Sequence, residues 1–441
     1  MGRVCLIDLP GLSRELLGFV PGDSMLGKWM KQQRVVALTP SWPAVTCSVQ
    51  ATLTTGQPPA KHGIVSNGVA TYRSVEDQRL VDASNFAEYR RNVSFWEQSN
   101  QFLNVPRFWQ DEAGESRYKT ALLFFQHSMP GFGGVARPAA DVVLTPKPDH
   151  GPDGKLVSLC WSSPAELVPR LFKELGPFPL MQYWGPMAGI ASSQWIAKAA
   201  ASVWQIEKPR LQLVYVPHLD YDLQRFGPQS MQARKAVADV AMAIEPLLAA
   251  VWGDGGKVLI ASEYAIESVD RSIQPNALLR EAGLLRTVPT AEGELIDYKR
   301  STAFAMMDHQ IAHLYSKEAA AVELLRKAGL KMLDRSLLDH PRAGDTLLEA
   351  PAGAWLDYRW WKDAGDAPSF AGTVDIHRKP GYDPFELFFD PASRTITQNA
   401  KLIRGSHGRV KPGEAVLIGE GATVQSGLGI SQVSSVVEAM L

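Results

Sequence analysis

Short runs of apolar residues alternate along the chain with longer stretches in which apolar positions recur every three to four residues. The short runs predict β-strands, and the periodic stretches predict α-helices. The predicted strands are Val4–Ile7, Val35–Leu38, Thr120–Phe125, Leu211–Val216, Lys257–Ala261, Ala303–Met307, Ile311–Tyr315 and Ala415–Ile418. The predicted helices are Ser48–Thr54, Pro164–Leu175, Ser192–Ile206, Met231–Val251, Asn276–Ala282 and Lys317–Lys327. This alternation indicates an α/β fold, a three-layer αβα sandwich with a mostly parallel central sheet.

Two regions interrupt the alternation. Residues 68–189 are rich in aromatic residues, Pro and Gly, and residues 330–376 contain several Trp residues. Aromatic side chains at this density pack in a core or line a pocket. We therefore expect a single domain over residues 1–441. Within it, 68–189 is partly an insertion or cap and 330–376 is a second, smaller insertion, both near the carboxyl ends of the strands.

The composition is that of an ordinary globular protein, with 45% hydrophobic and 21% charged residues. The formal net charge of −1 gives no indication of a nucleic-acid polymer or an anionic membrane as partner. Cys5, Cys47 and Cys160 cannot all pair within one chain, and their spacing fits no zinc motif. With no signal-peptide pattern and no apolar run long enough to span a bilayer, the sequence predicts a reduced, cytoplasmic setting. The oligomeric state is left open.

The most informative polar pattern lies between Thr39 and Asn67, which reads TPSWPAVTCSVQATLTTGQPPAKHGIVSN. It places Thr46 after a Pro-rich turn and at the start of a predicted helix. A helix N-terminus offers unpaired N–H groups and the positive end of the helix dipole, which suits an anion such as a phosphoryl group. A threonine is also a good helix cap, so this segment does not decide alone.

Four other segments place a possible ligand just after an apolar run. The candidates are Asp8, Asp220, Glu263 and His407. Ligands of open α/β sheets bind at the carboxyl ends of the strands, so we expect these side chains to meet near the Thr46 hydroxyl. Together they describe a two-metal site for phosphoryl chemistry.

These motifs, collinear from Asp8 to His407, resemble the type I phosphodiesterase/nucleotide pyrophosphatase family of the alkaline phosphatase superfamily. The resemblance covers nearly the whole chain and is strongest over Thr46–Asn67. It implies an alkaline-phosphatase-like fold, two divalent metal ions (Zn in relatives) and a small phosphoester substrate. It also implies that Thr46 is the nucleophile and that Asn67 donates a hydrogen bond to a phosphoryl oxygen. Asp8, Asp220 and His407 match metal ligands of the family.

The chain departs from the family pattern at three other positions. The family's Asp-x-x-x-His pair is Asp220 followed by Gln224, and its Ser-Asp-His-Gly motif contains Glu263 and Tyr264 here. The ligand sets become Asp8, Thr46, Glu263 and Tyr264 for one metal, and Asp220, Gln224 and His407 for the other. Oxygen-rich sets favour Mn or Mg over Zn. The loss of one metal is also open.

Two further groups are candidates for additional contacts. His218 precedes Asp220 by two residues and shares its face if the strand continues; it is either a further ligand or a histidine bonded to the backbone. His377, Arg378 and Lys379 lie among turn-type residues. They could contact the substrate phosphate or form a solvated basic turn.

The leading hypothesis is a metal-dependent phosphoesterase, a hydrolase of phosphoric ester or phosphoanhydride bonds. Thr46 would attack phosphorus and form a phosphothreonine, which water then hydrolyses. The resemblance implies phosphodiester substrates, but a phosphomonoester or a phosphonate would use the same groups. The changes at Gln224, Glu263 and Tyr264 also allow a catalytically degenerate member with a binding role.

Overall fold

The computed structural model describes residues 2–71, 89, 91–131, 137–150, 156–420 and 424–441. The strands in these residues are β1 Val4–Asp8, β2 Arg34–Thr39, β3 Gly68–Ala70, β4 Val93–Phe95, β5 Thr120–Leu123, β6 Val142–His150, β7 Leu156–Ser163, β8 Leu211–Tyr215, β9 Lys257–Ala261, β10 Glu267–Ser268, β11 Arg271–Ile273, β12 Thr287–Thr290, β13 Gly293–Ile296, β14 Ala303–Asp308, β15 Ile311–Ser316, β16 Lys331–Leu333, β17 Thr346–Glu349, β18 Ala354–Leu356, β19 Phe389–Asp390, β20 Thr395–Ile396, β21 Gly405–Ser406, β22 Ala415–Gly419 and β23 Leu428–Gly429. The helices are α1 Met25–Met30, α2 Thr46–Thr55, α3 Pro59–His62, α4 Leu167–Leu175, α5 Ile190–Glu207, α6 His218–Phe226, α7 Met231–Ala243, α8 Glu245–Gly253, α9 Pro275–Glu281, α10 Ala319–Lys327 and α11 Val433–Met440.

Nine of the described strands form one sheet, in the order β23-β2-β22-β9-β1-β8-β5-β6-β7. The five strands from β9 to β6 pair in parallel, whereas β22 is antiparallel to both neighbours and β7 is an antiparallel edge strand. All residues of β1 and β8 are buried, as expected for strands covered on both faces. The predicted α/β fold with a mostly parallel central sheet is confirmed.

The helices beside this sheet gather in two groups. Helices α1, α4, α5, α7 and α8 pack against one another in the first group, and α2, α3 and α11 form the second. The predicted helix Met231–Val251 is divided into α7 and α8, because Pro246 lies in the first turn of α8 and lacks the N–H that a continuous helix would need.

One stretch of the described residues, Met231–Gly253, passes a test for membrane spans by length and composition, with a mean hydropathy of 1.5. Half of its apolar window is buried inside the molecule. A helix in the interior of a folded protein can have the same length and composition, so this stretch is weak evidence for a membrane span.

A second, antiparallel sheet of order β14-β15-β17-β16 has its own hydrophobic cluster, which includes Phe304, Leu314 and Trp360. This sheet and its hydrophobic cluster form a second lobe. The predicted insertion at 330–376 covers only part of that lobe, since β14 and β15 precede residue 330. An apolar run does not reveal which sheet a strand joins. The other predicted insertion, 68–189, contributes β5, β6 and β7 to the central sheet.

Candidate active site

Parallel neighbours in the central sheet bring several of the predicted site residues to one edge. Strands β9, β1 and β8 are adjacent and parallel, so their carboxyl ends coincide. Asp8 is the last residue of β1, and Glu263 and Tyr264 come just after β9. All three side chains are buried. The sheet therefore assembles this part of the site, as the sequence predicts.

The loop that carries His407 is fastened to the segment before Thr46. His407 Nδ1 donates a hydrogen bond to the Ala44 carbonyl oxygen at 2.8 Å, and the Ala44 N–H donates to the Gly408 oxygen at 3.0 Å. Since Nδ1 carries the proton, Nε2 is the bare nitrogen of this imidazole. Burial lowers the pKa of His407 well below its usual value, so the ring is neutral and able to act as a ligand.

Thr46 is the first residue of α2, a helix whose residues are all buried. The preceding Val45 is extended, and the helix ends at Gly56 in the left-handed conformation that glycine favours. Thr46 is 4% exposed. Its Oγ1 lies 2.8 Å from the Tyr264 Oη, and Tyr264 Oη in turn donates to Asp220 Oδ1 at 3.3 Å. The Thr46 proton therefore points to Tyr264, which leaves the lone pairs of Oγ1 for another partner.

Asn67 is fixed at the N-terminus of the same helix. Its Oδ1 accepts a hydrogen bond from the Cys47 N–H at 2.8 Å. Asp308 accepts from the Asn67 N–H at 2.8 Å, from Asn67 Nδ2 at 3.1 Å and from Ser66 Oγ at 2.5 Å. An amide NH₂ carries two hydrogens, so Asn67 keeps one donor for a ligand while its orientation is set by Asp308.

Sequence reasoning missed Asp308 and assigned no role to His309. Asp308 is the last residue of β14, and His309 with Gln310 forms the tight turn to β15. His309 has a φ of 59°, and its Nδ1 donates to Asp308 Oδ1 at 2.7 Å. Burial would raise the pKa of Asp308, but hydrogen bonds from His309, Ser66 and Asn67 outweigh it and lower that pKa. The only sequence signal is a polar pair in a hairpin turn, which ordinary turns share.

Gln50, another residue that the sequence reading missed, connects the two carboxyl groups nearest to α2. Its Nε2 donates to Glu263 Oε1 at 2.8 Å and to Asp8 Oδ2 at 3.4 Å. The second oxygens, Asp8 Oδ1 and Glu263 Oε2, are buried and make no hydrogen bond. Burial raises the pKa of Asp8 to about 7, and burial together with the Asp8 charge raises that of Glu263 well above its usual value.

Asp220 lies in the first turn of α6 and is held by hydrogen bonds on both oxygens. Gln224, one helical turn later, donates from Nε2 to Asp220 Oδ2 at 2.7 Å, and Tyr264 donates to Oδ1. The Gln224 Oε1 accepts from the Tyr382 Oη at 2.7 Å. His407 Nε2 lies 3.6 Å from Asp220 Oδ1 and has no hydrogen-bond partner.

Four rings stack beside this network. Tyr264 stacks on His407 with ring centroids 3.7 Å apart, His407 lies 3.8 Å from His309, and His309 lies 3.5 Å from Tyr382. Tyr382 packs in the hydrophobic cluster of the second sheet, and His309 follows β14 of that sheet. Tyr264 packs in the hydrophobic core of the central sheet. The column therefore joins the two hydrophobic cores at the site.

His218 is not on the same face as Asp220. The premise of that prediction, a strand continuing past Val216, is wrong because β8 ends at Tyr215 and α6 begins at His218. In a helix, residues four apart share a face, so His218 Nε2 approaches Asp222 Oδ2 at 3.7 Å while Asp220 meets Gln224. Both ring nitrogens of His218 make no hydrogen bond.

The three residues predicted to contact the substrate phosphate differ in exposure and in hydrogen-bond partners. His377 is exposed, and its Nδ1 donates to the Phe95 oxygen at 3.1 Å; Arg378 pairs with Asp375. Lys379 is 1% exposed, and its Nζ donates to Asp383 at 2.7 Å and to Glu386 at 2.6 Å. Buried and committed to two carboxylates, Lys379 serves the packing of its own loop.

The two sides of the site differ in how well their side chains suit a divalent cation. Within the described residues, no three His, Cys, Asp or Glu side chains converge to hold an ion. The pair Asp8 and Glu263 fits one cation, because two buried carboxyl groups leave one oxygen each without a partner and oxygen ligands suit Mg or Mn. On the Asp220 side both carboxylate oxygens already accept hydrogen bonds. A second cation does not fit there.

An open cleft borders Asn67. It is lined by the segment 63–69 and by Glu97, His127 and Arg342. Both ring nitrogens of His127 are buried without a partner, and burial raises the pKa of Glu97. The cleft reaches Asn67, whose side chain accepts the Cys47 N–H at the N-terminus of α2.

Comparison with known proteins identifies a family and similar structures for this chain. The type I phosphodiesterase/nucleotide pyrophosphatase family model matches residues 4–383. The structure is similar to that of phosphonoacetate hydrolase from Sinorhizobium meliloti 1021 in complex with phosphonoformate, with a TM-score of 0.60, 14% identity, and 100% of this chain and 96% of that chain covered. It is also similar to murine ectonucleotide pyrophosphatase/phosphodiesterase 5, with a TM-score of 0.57, 13% identity, and 99% and 95% covered. No curated protein sequence matches the chain.

The match over most of the chain defines a hydrolase of phosphoester bonds, and its fold is similar to that of these two solved structures. The chain belongs to the type I phosphodiesterase/nucleotide pyrophosphatase family. Members of this family are generally dependent on divalent metals. The predictions of family, fold and enzyme class are confirmed, whereas the roles of individual residues remain predictions.

Proposed function

We propose that this protein hydrolyses a small phosphoester or phosphonate with Thr46 as the nucleophile. The observation that carries the proposal is the Thr46 hydroxyl at the N-terminus of α2, with Asn67 fixed beside it by Cys47 and Asp308. The first N–H groups of a helix have no acceptor within the helix. The Thr46 N–H and the free Asn67 hydrogen would therefore bind the phosphoryl oxygens and stabilise the charge that develops on them.

The Thr46 oxygen forms a bond to phosphorus and loses its proton, while the bond from phosphorus to the leaving group breaks. The leaving group departs with the electron pair and takes up one proton, which balances the proton lost by Thr46. Water then cleaves the Thr46–phosphorus ester and restores the hydroxyl. A divalent cation such as Mn or Mg, held by Asp8 and Glu263, would supply positive charge for the Thr46 oxygen and the phosphoryl group. The substituent on phosphorus would lie in the cleft beside Asn67, within reach of the exposed His377.

The expected substrate is a small phosphoester and not a polymer. A net charge of −1 gives a nucleic-acid polymer no electrostatic attraction, and the cleft beside Asn67 is the place proposed for the substituent on phosphorus. We place the protein in a reducing, cytoplasmic setting, which its three buried cysteines support, since none of them forms a disulfide.

Hydrolysis assays with Mn²⁺, Mg²⁺ or Zn²⁺ test the proposal. Bis(p-nitrophenyl) phosphate reports a diesterase, p-nitrophenyl phosphate a monoesterase, and phosphate release from phosphonoacetate a phosphonate hydrolase. We expect turnover of at least one of the three, with loss of that turnover in Thr46→Ala. No turnover of any of them with any ion would overturn the proposal in favour of a binding role.

A further inference from the structure

The two halves of the site differ in how their carboxylates are satisfied. On the first side, Asp8 and Glu263 bring two carboxyl groups together, and each keeps a buried oxygen without a hydrogen bond. On the second side, Asp220 is alone, and both of its oxygens accept hydrogen bonds. An unpartnered buried carboxylate oxygen costs free energy, so the carboxylates need a cation on the first side. On the second side the unpartnered atom is His407 Nε2 and not a carboxylate oxygen.

The residues that satisfy Asp220 are two of those that depart from the family pattern. Gln224 donates to Oδ2 and Tyr264 donates to Oδ1. Neither has a spare acceptor facing Asp220, since the Gln224 oxygen receives the Tyr382 proton and Tyr264 receives that of Thr46. In the family pattern, both positions carry a histidine.

We propose that this chain binds a single divalent cation, at the Asp8–Glu263 pair, and that Gln224 and Tyr264 hold Asp220 by hydrogen bonds in place of a second cation. The remaining ligand atom on the Asp220 side is His407 Nε2. The second side thus offers one imidazole nitrogen and a carboxylate whose oxygens already accept hydrogen bonds, whereas the first side offers two carboxyl groups that each keep an oxygen without such a bond. The inference deepens the proposed function, since it concerns the surroundings of the same Thr46.

The stacked rings keep the second side in this state. His407 is confined between Tyr264 and His309, with centroid distances of 3.7 and 3.8 Å, and its Nδ1 is bound to the Ala44 oxygen. Moving His407 to complete a ligand set would break this stack and that hydrogen bond. These contacts hold His407 in place without an added ion, and its Nε2 keeps no hydrogen-bond partner.

The test is the number of ions bound, measured without substrate. Metal-free protein is titrated with Mn²⁺ by isothermal titration calorimetry, and metal content is confirmed by mass spectrometry of the native protein. We expect one Mn²⁺ per chain, loss of that ion in Glu263→Gln, and an unchanged count of one in Asp220→Asn. Two ions or none in the wild-type protein, or loss of the ion in Asp220→Asn, would overturn the inference.

A variant that is expected to bind a second ion gives a sharper test than the variants that lose one. Gln224→His adds an imidazole one turn after Asp220, which with His407 makes three ligands, so we expect the count to rise to two. Gln224→Leu is the matched control, with a count of one, and circular dichroism of all variants establishes that they fold. A count that stays at one in Gln224→His would contradict the idea that this position decides the second ion.

The result is independent of turnover. A chain that binds one Mn²⁺ but hydrolyses none of the three phosphorus compounds would refute the proposed function and keep the cation count. A chain that hydrolyses at least one of them and binds two ions would support the proposed function and refute the proposed cation count.

Discussion

The Tyr264 ring lies flat on the His407 imidazole, with centroids 3.7 Å apart and an angle of 8° between the planes. The same tyrosine connects Thr46 to Asp220 through its hydroxyl. One side chain therefore orients the proposed nucleophile and covers the late histidine. Its ring and its hydroxyl can be tested separately.

Replacing Tyr264 with Phe keeps the ring on His407 and removes the hydroxyl. We expect the free energy of unfolding to fall by about 1 kcal/mol, because one buried hydrogen-bond network loses a member, and kcat to fall because Thr46 loses its orientation. Tyr264→Ala also removes the stack, and we expect a loss of about 3 to 5 kcal/mol. Urea denaturation measures both; equal losses in the two variants would show that the ring contributes nothing.

Replacing Thr46 with Ala removes the proposed nucleophile. We expect kcat to fall by at least about a thousandfold, with a loss of only about 1 kcal/mol in stability from the missing hydrogen bond to Tyr264. Thr46→Ser keeps a hydroxyl and is expected to retain part of the activity. Mass spectrometry after a quench at steady state should detect a phosphorylated residue in the wild-type protein and none in Thr46→Ala. Full activity of Thr46→Ala would exclude the covalent route.

Replacing Asp308 with Ala leaves Ser66 Oγ and two donors of Asn67 without their acceptor. Each buried donor left unpaired costs about 1 to 3 kcal/mol, so we expect a loss of about 3 kcal/mol or more in the free energy of unfolding and a lower kcat. Asp339→Ala is the control, since that side chain is 87% exposed and such changes stay within about 0.5 kcal/mol. Normal kcat in folded Asp308→Ala would mean that Asn67 needs no such support.

Replacing Lys379 with Met separates two roles for this lysine. The structure shows it buried between Asp383 and Glu386, so its removal leaves two carboxyl groups uncompensated, and we expect a loss of about 3 to 5 kcal/mol in stability. The sequence-based prediction of a phosphate contact instead requires a higher KM with stability unchanged. Lys401→Met, at an exposed lysine, is the control and is expected to change neither quantity.

Buried neutral histidines make stability depend on pH. Burial lowers the pKa of His313 from 6.5 to about 4, and its two nitrogens are satisfied in the neutral form by the Val65 oxygen and the Gly344 N–H. Between these pH values the unfolded chain binds a proton that the folded chain does not, so stability falls as pH falls below 6.5. Between pH 7 and pH 5 we expect His313 to account for about 2 kcal/mol of that fall.

The measurement is the free energy of unfolding at pH 7 and pH 5 for wild type and His313→Gln. The difference between the two pH values should shrink by about 2 kcal/mol in the variant, whatever its absolute stability. His377→Gln, at an exposed histidine, should keep the wild-type difference. An unchanged difference in His313→Gln would show that His313 is not buried in the neutral form.

The elements of the central sheet could be predicted from local pattern, because a buried parallel strand is a short apolar run. Lys257–Ala261 has the predicted bounds, and β1 differs from its predicted run by one residue. The placement of β14 and β15 could not be predicted, since a strand in the second sheet has the same apolar residues as one in the first. Likewise, His218 was expected to share a face with Asp220 only if the strand continued, whereas β8 ends at Tyr215 and a helix begins at His218.

The sequence by itself determined the order of the motifs, the family, and the side chains that reach the carboxyl ends of the strands, since all of these depend on residue type and spacing. Tertiary structure alone decided that Asp308 holds Asn67, that Gln50 joins Asp8 to Glu263, and that Lys379 is enclosed. These contacts join residues up to 241 positions apart, and no local pattern encodes which distant donor meets which acceptor.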